Sequence, residues 1–147
     1  MTDPNAPIRL AREGDIAELV ELRAAVHENR LSDPSRVTPD DLRRFIREGE
    51  IWVWEEGGRI LGFSAGDERN GWIFALFVRP ESEGRGIGRA LFQQACDTLR
   101  RSGHGVMRLS TDPGTRAERF YHKAGWRETG RNVQGEIVFS RSFAEIS

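Results

Sequence analysis

The sequence predicts one α/β domain over residues 1–147, in which helices cover both faces of a mixed β-sheet. Three observations support this fold class. Trp72 to Val78 is an unbroken apolar run, which is typical of a central strand that is covered on each face. Four amphipathic segments follow helix-capping residues or a glycine turn. One of these segments separates the apolar run from the strand Val106–Thr111, so the two strands should be parallel.

The predicted elements follow the order β-α-α-β-β-β-α-β-α-β-β. Strands are expected at Ile8–Ala11, Ile51–Trp54, Arg59–Gly66, Trp72–Val78, Val106–Thr111, Trp126–Arg131 and Glu136–Phe143. Helices are expected from Asp15 to about His27, from Thr38 to Gly49, from Gly88 to Arg101 and from Thr115 to Gly125.

Side-chain patterns assign the helix starts and the faces of the central strand. Asp15, Thr38 and Thr115 are interpreted as N-caps, each with an acidic partner three residues later. Strict alternation would divide the central strand into two sets of side chains on opposite faces. These sets are Trp72, Phe74, Leu76 and Val78 on one face, and Ile73, Ala75 and Phe77 on the other.

Composition excludes several classes of protein. With 37% hydrophobic and 31% charged residues, the chain is typical of a soluble globular protein. No apolar run is long enough for a membrane span, and no signal peptide is evident. The single cysteine, Cys96, permits no internal disulfide. A cytoplasmic location is therefore expected. A net charge of −1 argues against a protein that coats nucleic acid. The histidines and the cysteine have unrelated spacings, so no metal site is predicted.

A glycine-spaced turn follows the central strand. Gly84-Arg85-Gly86-Ile87-Gly88 opens a helical pattern, and a helix start directs several backbone N–H groups at one anion. The turn is not a nucleoside-triphosphate loop, because Gly88-Arg89-Ala90 replaces Gly-Lys-Ser/Thr. It is not a dinucleotide fingerprint either, because that motif requires a glycine where Arg89 stands. An anion site for a phosphate-bearing cofactor is therefore expected here.

Two motifs resemble the GCN5-related N-acetyltransferase (GNAT) superfamily, which uses acetyl-CoA. Glu83-Gly84-Arg85-Gly86-Ile87-Gly88 resembles the family's pyrophosphate motif, although the family usually has Gln or Arg where Glu83 stands. Ala117 to Trp126 resembles the motif Ala-x-x-Phe-Tyr-x-x-x-Gly-Phe, although Gly114 replaces an Asn that often precedes it. The resemblance covers nearly the whole chain and implies a GNAT-like fold.

The resemblance also implies a set of acetyl-CoA contacts. Backbone amides from Gly84 to Arg89 would bind the pyrophosphate, with the arginines as further phosphate contacts, and the main chain of two strand residues would bind the pantetheine arm. The predicted cofactor-binding residues are Phe77, Val78, Gly84, Arg85, Gly86, Ile87, Gly88, Arg89, Thr115 and Phe120. No metal is expected.

The resemblance further implies that Tyr121 acts as a general acid at the cofactor sulfur. A hydroxyl with a pKa of about 10 can stabilise or protonate the departing thiolate. The general base is left open, because the central strand carries no carboxylate. Glu28 and Glu136 are the first candidates. Asp67, Glu68 and His27 are further options, and a water-relayed proton transfer is an alternative.

The expected reaction moves acetyl from acetyl-CoA to a primary amine of a small molecule or protein by direct attack in a ternary complex. Asn29, Asp33, Trp72 and Phe74 are the predicted acceptor contacts. The alternative function is a non-catalytic acyl-CoA-binding module. Whether the apolar last strands form a homodimer is left open.

Overall fold

The computed structural model describes residues 7–27 and 37–143, apart from the side chain of His27. The strands are β1 (Ile8–Leu10), β2 (Ile51–Glu56), β3 (Arg59–Asp67), β4 (Trp72–Val78), β5 (Val106–Thr111), β6 (Arg127–Arg131) and β7 (Ile137–Ser142). The helices are α1 (Ile16–His27), α2 (Pro39–Glu48), α3 (Ile87–Arg101) and α4 (Arg116–Lys123). The element order and the mixed α/β fold class predicted from the sequence are confirmed.

The strands form one sheet in the order β1-β2-β3-β4-β5-β7-β6. All neighbouring strands are antiparallel except β4 and β5, which are parallel because α3 connects them. α1 and α2 pack on one face of the sheet, where Leu22 and Phe45 contact a cluster that includes Phe63. α3 and α4 pack on the other face, where Phe92 and Tyr121 join the core.

The parallel pair β4–β5 is joined at one end only. Its ladder has a single register pair, Trp72 with Arg108, supported by a 3.0 Å hydrogen bond from the Arg108 N–H to the Gly71 carbonyl. By contrast, β5 pairs with β7 along its whole length, from Val106 to Thr111. The strands β4 and β5 therefore diverge towards their carboxyl ends, and a cleft opens between them.

A β-bulge in β4 makes the predicted alternation of its side chains wrong. Ala65 pairs with Ala75, but the next residue of β3, Gly66, pairs with Ile73, so Phe74 is an extra residue. As a result Phe74 packs in the same cluster as Ala75, on the α1–α2 face.

Of the N-caps predicted for α1 and α2, the structure confirms that of α2 and corrects that of α1. Thr38 caps α2, because its side chain accepts a 3.1 Å hydrogen bond from the Asp41 N–H. Asp15 is not an N-cap. It ends a short 3-10 turn that begins at Glu13, and its carboxylate accepts a hydrogen bond from the Arg12 N–H at 2.7 Å. The proposed partner Glu18 instead accepts from the Ile60 N–H at 2.7 Å and ties α1 to β3.

Close packing brings α3 down onto the sheet. A Cβ atom added at Gly66 would lie 2.8 Å from the Ala95 carbonyl oxygen of α3, so only glycine fits there. Two residues earlier, the buried Ser64 hydroxyl donates a 2.7 Å hydrogen bond to the Leu91 carbonyl. These contacts fix the position of the amino-terminal end of α3 relative to the cleft.

None of the helices in the described ranges is long and apolar enough to cross a membrane.

Candidate active site

The cleft between β4 and β5 has a volume of about 800 Å³. Its walls come from β4, from the glycine turn and start of α3, from the end of β5, from α4, and from the last turns of α1. The size falls within the range of pockets that bind drug-sized ligands and cofactors. Every layer of the fold therefore contributes to one cavity.

The glycine turn forms one end of the cleft. Gly84 and Gly86 have φ angles of +83° and +84°, which side-chain-bearing residues rarely adopt. Gly86 is the N-cap of α3 and offers no capping side chain, so the first N–H groups of this helix have no side-chain acceptor from that residue. Gly84, Gly86, Ile87, Gly88 and Arg89 all line the cleft, as the predicted anion site requires.

Two arginines add positive charge at this end. Arg89 and Arg116 line the cleft, and Arg116 forms a 2.9 Å ion pair with Glu83. This pair compensates the acidic residue that departs from the family pattern and joins the α3 side of the opening to α4. Arg85 does not line the cleft, because it pairs with Glu56 at 2.8 Å.

Residues of β4 form the floor of the cleft. Phe77 and Val78 line it near the glycine turn, and Trp72 and Phe74 line it further along the strand. Because the bulge interrupts the ladder at Phe74, the backbone there is not occupied by regular pairing with β3. The structure thus brings the predicted pantetheine and acceptor contacts of β4 to one cavity.

Tyr121 also faces the cleft from α4. Thr115 starts this helix by accepting a hydrogen bond from the Glu118 N–H, and it does not line the cleft, whereas Phe120 does. The Tyr121 ring is 6% exposed and packs against Phe92, with ring centroids 5.6 Å apart. Burial is the main cause that raises the pKa of Tyr121 above its ordinary value, so its hydroxyl stays a neutral hydrogen-bond donor.

Two carboxylates lie in the cleft away from the glycine turn. Glu136 precedes β7 and accepts a 2.9 Å hydrogen bond from the Asn132 side chain. Asp67 ends β3 and accepts two hydrogen bonds from the Arg69 guanidinium, which lower the pKa of Asp67. Glu68 accepts a hydrogen bond from Ser102 and does not line the cleft.

Several predicted site residues lie outside the described residues. These are the base candidate Glu28 and the acceptor contacts Asn29 and Asp33, which belong to the segment between α1 and α2. The side chain of His27 is likewise not described. Among the described residues, no three His, Cys, Asp or Glu side chains are grouped to hold a metal ion.

Sequence reasoning did not assign several polar residues of the cleft, among them Arg116 of α4 and Arg23 of α1. The Nε and Nη1 atoms of Arg23 are buried and have no hydrogen-bond partner in the described part of the chain. The sequence contained a signal, because Arg23 occupies a position in the otherwise apolar stripe of α1 that includes Leu19 and Val26. An arginine in such a stripe lies on the packed face of the helix rather than on its solvent-exposed face.

The split mixed sheet, with a glycine-capped helix start beside the split, agrees with the acyl-CoA-dependent transferase class that the sequence motifs predict. The chain belongs to the acetyltransferase (GNAT) family, which it matches over residues 16–126. The acetyltransferase class predicted from the two motifs is therefore confirmed.

Named relatives and a solved structure agree with this membership. The chain is 27% identical over 149 residues to the L-methionine sulfoximine/L-methionine sulfone acetyltransferase of Salmonella typhimurium, a match that covers 91% of this chain and 87% of that protein. It is 33% identical over 111 residues to the mycothiol acetyltransferase of Beutenbergia cavernae. That match covers 67% of this chain but only 37% of that protein. The PaiA N-acetyltransferase of Thermoplasma acidophilum, solved in complex with coenzyme A, has the same fold. Its TM-score is 0.75 at 16% identity, over 92% of this chain and 98% of that chain.

Proposed function

We propose that this chain, as a single domain over residues 1–147, transfers the acetyl group of acetyl-CoA to a primary amine by direct attack in a ternary complex. The observation that carries this proposal is the cleft between β4 and β5, which has the glycine-capped start of α3 at one end and is lined by Tyr121 from α4. The named relatives, which are acetyltransferases, support the same reaction class.

The residues present fit acetyl-CoA. Gly84, Gly86 and the first residues of α3 line the cleft at a helix start, where backbone N–H groups are available to an anion. Arg116 can add a charge-assisted contact to a phosphate once it leaves Glu83. Beyond the turn, the main chain of Phe77 and Val78 borders the region where β5 has moved away. An extended amide-bearing arm can occupy this gap much as a strand would.

Acetyl-CoA supplies a thioester, at which a carbon–nitrogen bond forms and the carbon–sulfur bond breaks. The sulfur leaves as a thiolate, and the Tyr121 hydroxyl donates a hydrogen bond or a proton to it. Since burial raises the pKa of Tyr121, this residue holds its proton until negative charge develops on the sulfur. Cys96 has no part in the reaction, because burial raises the pKa of its thiol to about 12 and the thiol stays protonated.

The attacking amine must first lose a proton, and we assign this proton to Glu136. The carboxylate lines the same cleft and is held by Asn132 at 2.9 Å, so it has a fixed position in which to accept the proton directly or through a water molecule. Glu28 remains a second candidate for this role, and it lies outside the described residues.

The test combines the melting temperature with turnover. A ligand at 100 times its dissociation constant stabilises the folded state by about 2.7 kcal/mol. For a chain of this size, acetyl-CoA should therefore raise the melting temperature by roughly 5–10 °C. ADP, which has a pyrophosphate but no pantetheine arm, is the control and should give a smaller shift. Release of free thiol is then measured across a panel of primary amines.

The outcomes separate the candidate functions. A thermal shift together with amine-dependent thiol release supports the enzyme. A thermal shift without release on any amine, amino acid or lysine peptide would instead support a non-catalytic acyl-CoA-binding module. If acetyl-CoA left the melting temperature unchanged, the assignment of the cleft to this cofactor would be wrong.

A further inference from the structure

The Arg23 guanidinium has no assigned role in the transfer reaction. It lines the cleft from α1, and its Nε and Nη1 atoms are shielded from solvent without a hydrogen-bond partner among the described residues. A guanidinium keeps its charge at any working pH, so it cannot avoid the cost of burial by losing a proton. Two shielded donors of this kind require an acceptor, and the positive charge of the guanidinium favours an anion.

The buried Arg79 shows how this chain satisfies an arginine that has only a structural role. Its Nε donates a 2.8 Å hydrogen bond to the Ile60 carbonyl, and its Nη1 donates to Glu21 at 3.3 Å. Glu18 lies 3.7 Å from its Nη2. Within residues 7–27 and 37–143, the Nε and Nη1 atoms of Arg23, on the same helix as both glutamates, have no such partner. The difference points to a ligand as the missing anion.

The position of Arg23 separates it from the phosphate end of the cleft. Its neighbours along the cleft wall on the α1–α2 face include Val26, Val37 and Phe74, which belong to the core cluster of that layer. The glycine turn, Arg89 and Arg116 belong to the α3–α4 layer. Arg23 therefore lies on the opposite side of the sheet from Arg89 and Arg116. If those two arginines lie at the phosphate end of the cofactor, Arg23 is placed to contact the acceptor.

The charges at the acceptor end fit a zwitterion. Glu136 and Arg23 both line the cleft, and Asp67 is balanced by Arg69. An ammonium group near Glu136 and a single negative charge near Arg23 would be complementary to these two side chains. One guanidinium matches the single charge of a carboxylate, whereas it would neutralise only part of the charge of a phosphate.

We propose that Arg23 binds the carboxylate of the acceptor, and that the acceptor is a small amino acid or amino-acid analogue. Val26, Val37 and Phe74 favour an apolar side chain on that substrate. This inference rests on the proposed acetyl transfer and specifies its acceptor class. It places the chain's substrate among free amino acids rather than among lysine side chains of proteins.

The experiment compares pairs of acceptors that differ only in the anion. L-methionine is paired with L-methioninamide, and glucosamine 6-phosphate with glucosamine, while thiol release gives kcat/KM for each. The wild-type protein should prefer methionine to its amide by about 10- to 100-fold, as expected for a charge-assisted contact. Arg23→Met should remove this preference by lowering kcat/KM for methionine alone. Arg47→Met, an exposed arginine of α2 that does not line the cleft, is the matched control and should keep the preference.

Stability gives a second readout that a merely structural role would not produce. Because Arg23→Met removes two shielded donors that have no hydrogen-bond partner among the described residues, the melting temperature of the free protein should stay the same or rise. Methionine should stabilise the wild-type protein more than the variant.

Several results would overturn the inference and leave the transfer reaction intact. One is equal turnover of acid and amide by the wild type. Another is a lower melting temperature in Arg23→Met with an equal loss on both acceptors. If the protein preferred the anionic acceptor only in the pair of glucosamine 6-phosphate and glucosamine, the proposal that Arg23 binds a carboxylate would be wrong. If the protein acetylated a lysine peptide but not methionine, and Arg23→Met left that activity unchanged, the proposed acceptor class would be wrong. Absence of thiol release with every amine is a different result, and it would contradict the proposed function itself.

Discussion

Tyr121→Phe tests the catalytic assignment with the smallest available change. The substitution removes one hydroxyl and keeps the ring, whose centroid lies 5.6 Å from that of Phe92 and 5.8 Å from that of Phe139. The packing of α4 on the sheet should therefore survive, with a melting temperature within about 2 °C of the wild type. Affinity for acetyl-CoA should also change by less than about threefold, because the proposed pyrophosphate contacts are backbone amides of the glycine turn rather than Tyr121.

The expected loss lies in kcat. A positioned acid contributes about 10²- to 10⁴-fold, and even the lower value corresponds to about 2.7 kcal/mol in the barrier. Since burial raises the pKa of Tyr121 above its usual value of about 10, the hydroxyl does not ionise in the usual assay range. The wild-type pH–rate profile should accordingly show no falling limb from this residue up to about pH 10.

The assay is steady-state thiol release with titration calorimetry of coenzyme A on the same preparation. Phe92→Leu serves as the control, because it removes a ring that packs on Tyr121 and leaves the hydroxyl in place. This control should lower the melting temperature and retain most of the turnover. A Tyr121→Phe protein with kcat within threefold of the wild type would refute the role of the hydroxyl.

Two further predictions concern the carboxylates of the cleft. Glu136→Gln should lower kcat/KM by about 10²-fold, because the attacking amine loses its positioned proton acceptor. Thiol release at saturating acetyl-CoA measures this loss, and a change of less than about threefold would point to another base. Asp67 has its pKa lowered chiefly by the hydrogen bond from Arg69, so the stability it contributes is present above about pH 4 and is lost as the pH falls below that value. In melting curves between about pH 5 and 2.5, Asp67→Asn should therefore lose less stability on acidification than the wild type, and an equal loss would contradict the assignment.

Local patterns were sufficient to predict most of the fold. These patterns involve residues that are close together in the sequence, so they can be read without knowledge of tertiary contacts. Examples are the apolar run of β4, the threonine and proline at the start of α2, and the glycines around turns. The bulge at Phe74 could not be predicted in this way. An extra residue in a strand leaves the composition unchanged, and only the register with β3 reveals it.

The candidate site shows the same division. The glycine turn was predictable because positive φ angles at Gly84 and Gly86 limit the residue type. Arg85 could not be separated from Arg89 in sequence, because the ion pair with Glu56 depends on where the β2–β3 turn lies. Arg23 escaped attention for a related reason, since a charged residue within an apolar stripe acquires its meaning only when its partners, or their absence, are known.

The single register pair between β4 and β5 affects the folding of the chain as well as its chemistry. The backbone ladder of the sheet almost divides into two halves, β1 to β4 and β5 with β7 and β6, and side chains of α3 such as Phe92 and Leu99 bridge them through Met107 and Leu109. Because local opening along this seam would break few hydrogen bonds, we expect the two halves to open more independently than the strands within each half. A ligand that contacts both strands across the cleft should then make unfolding of the two halves more cooperative.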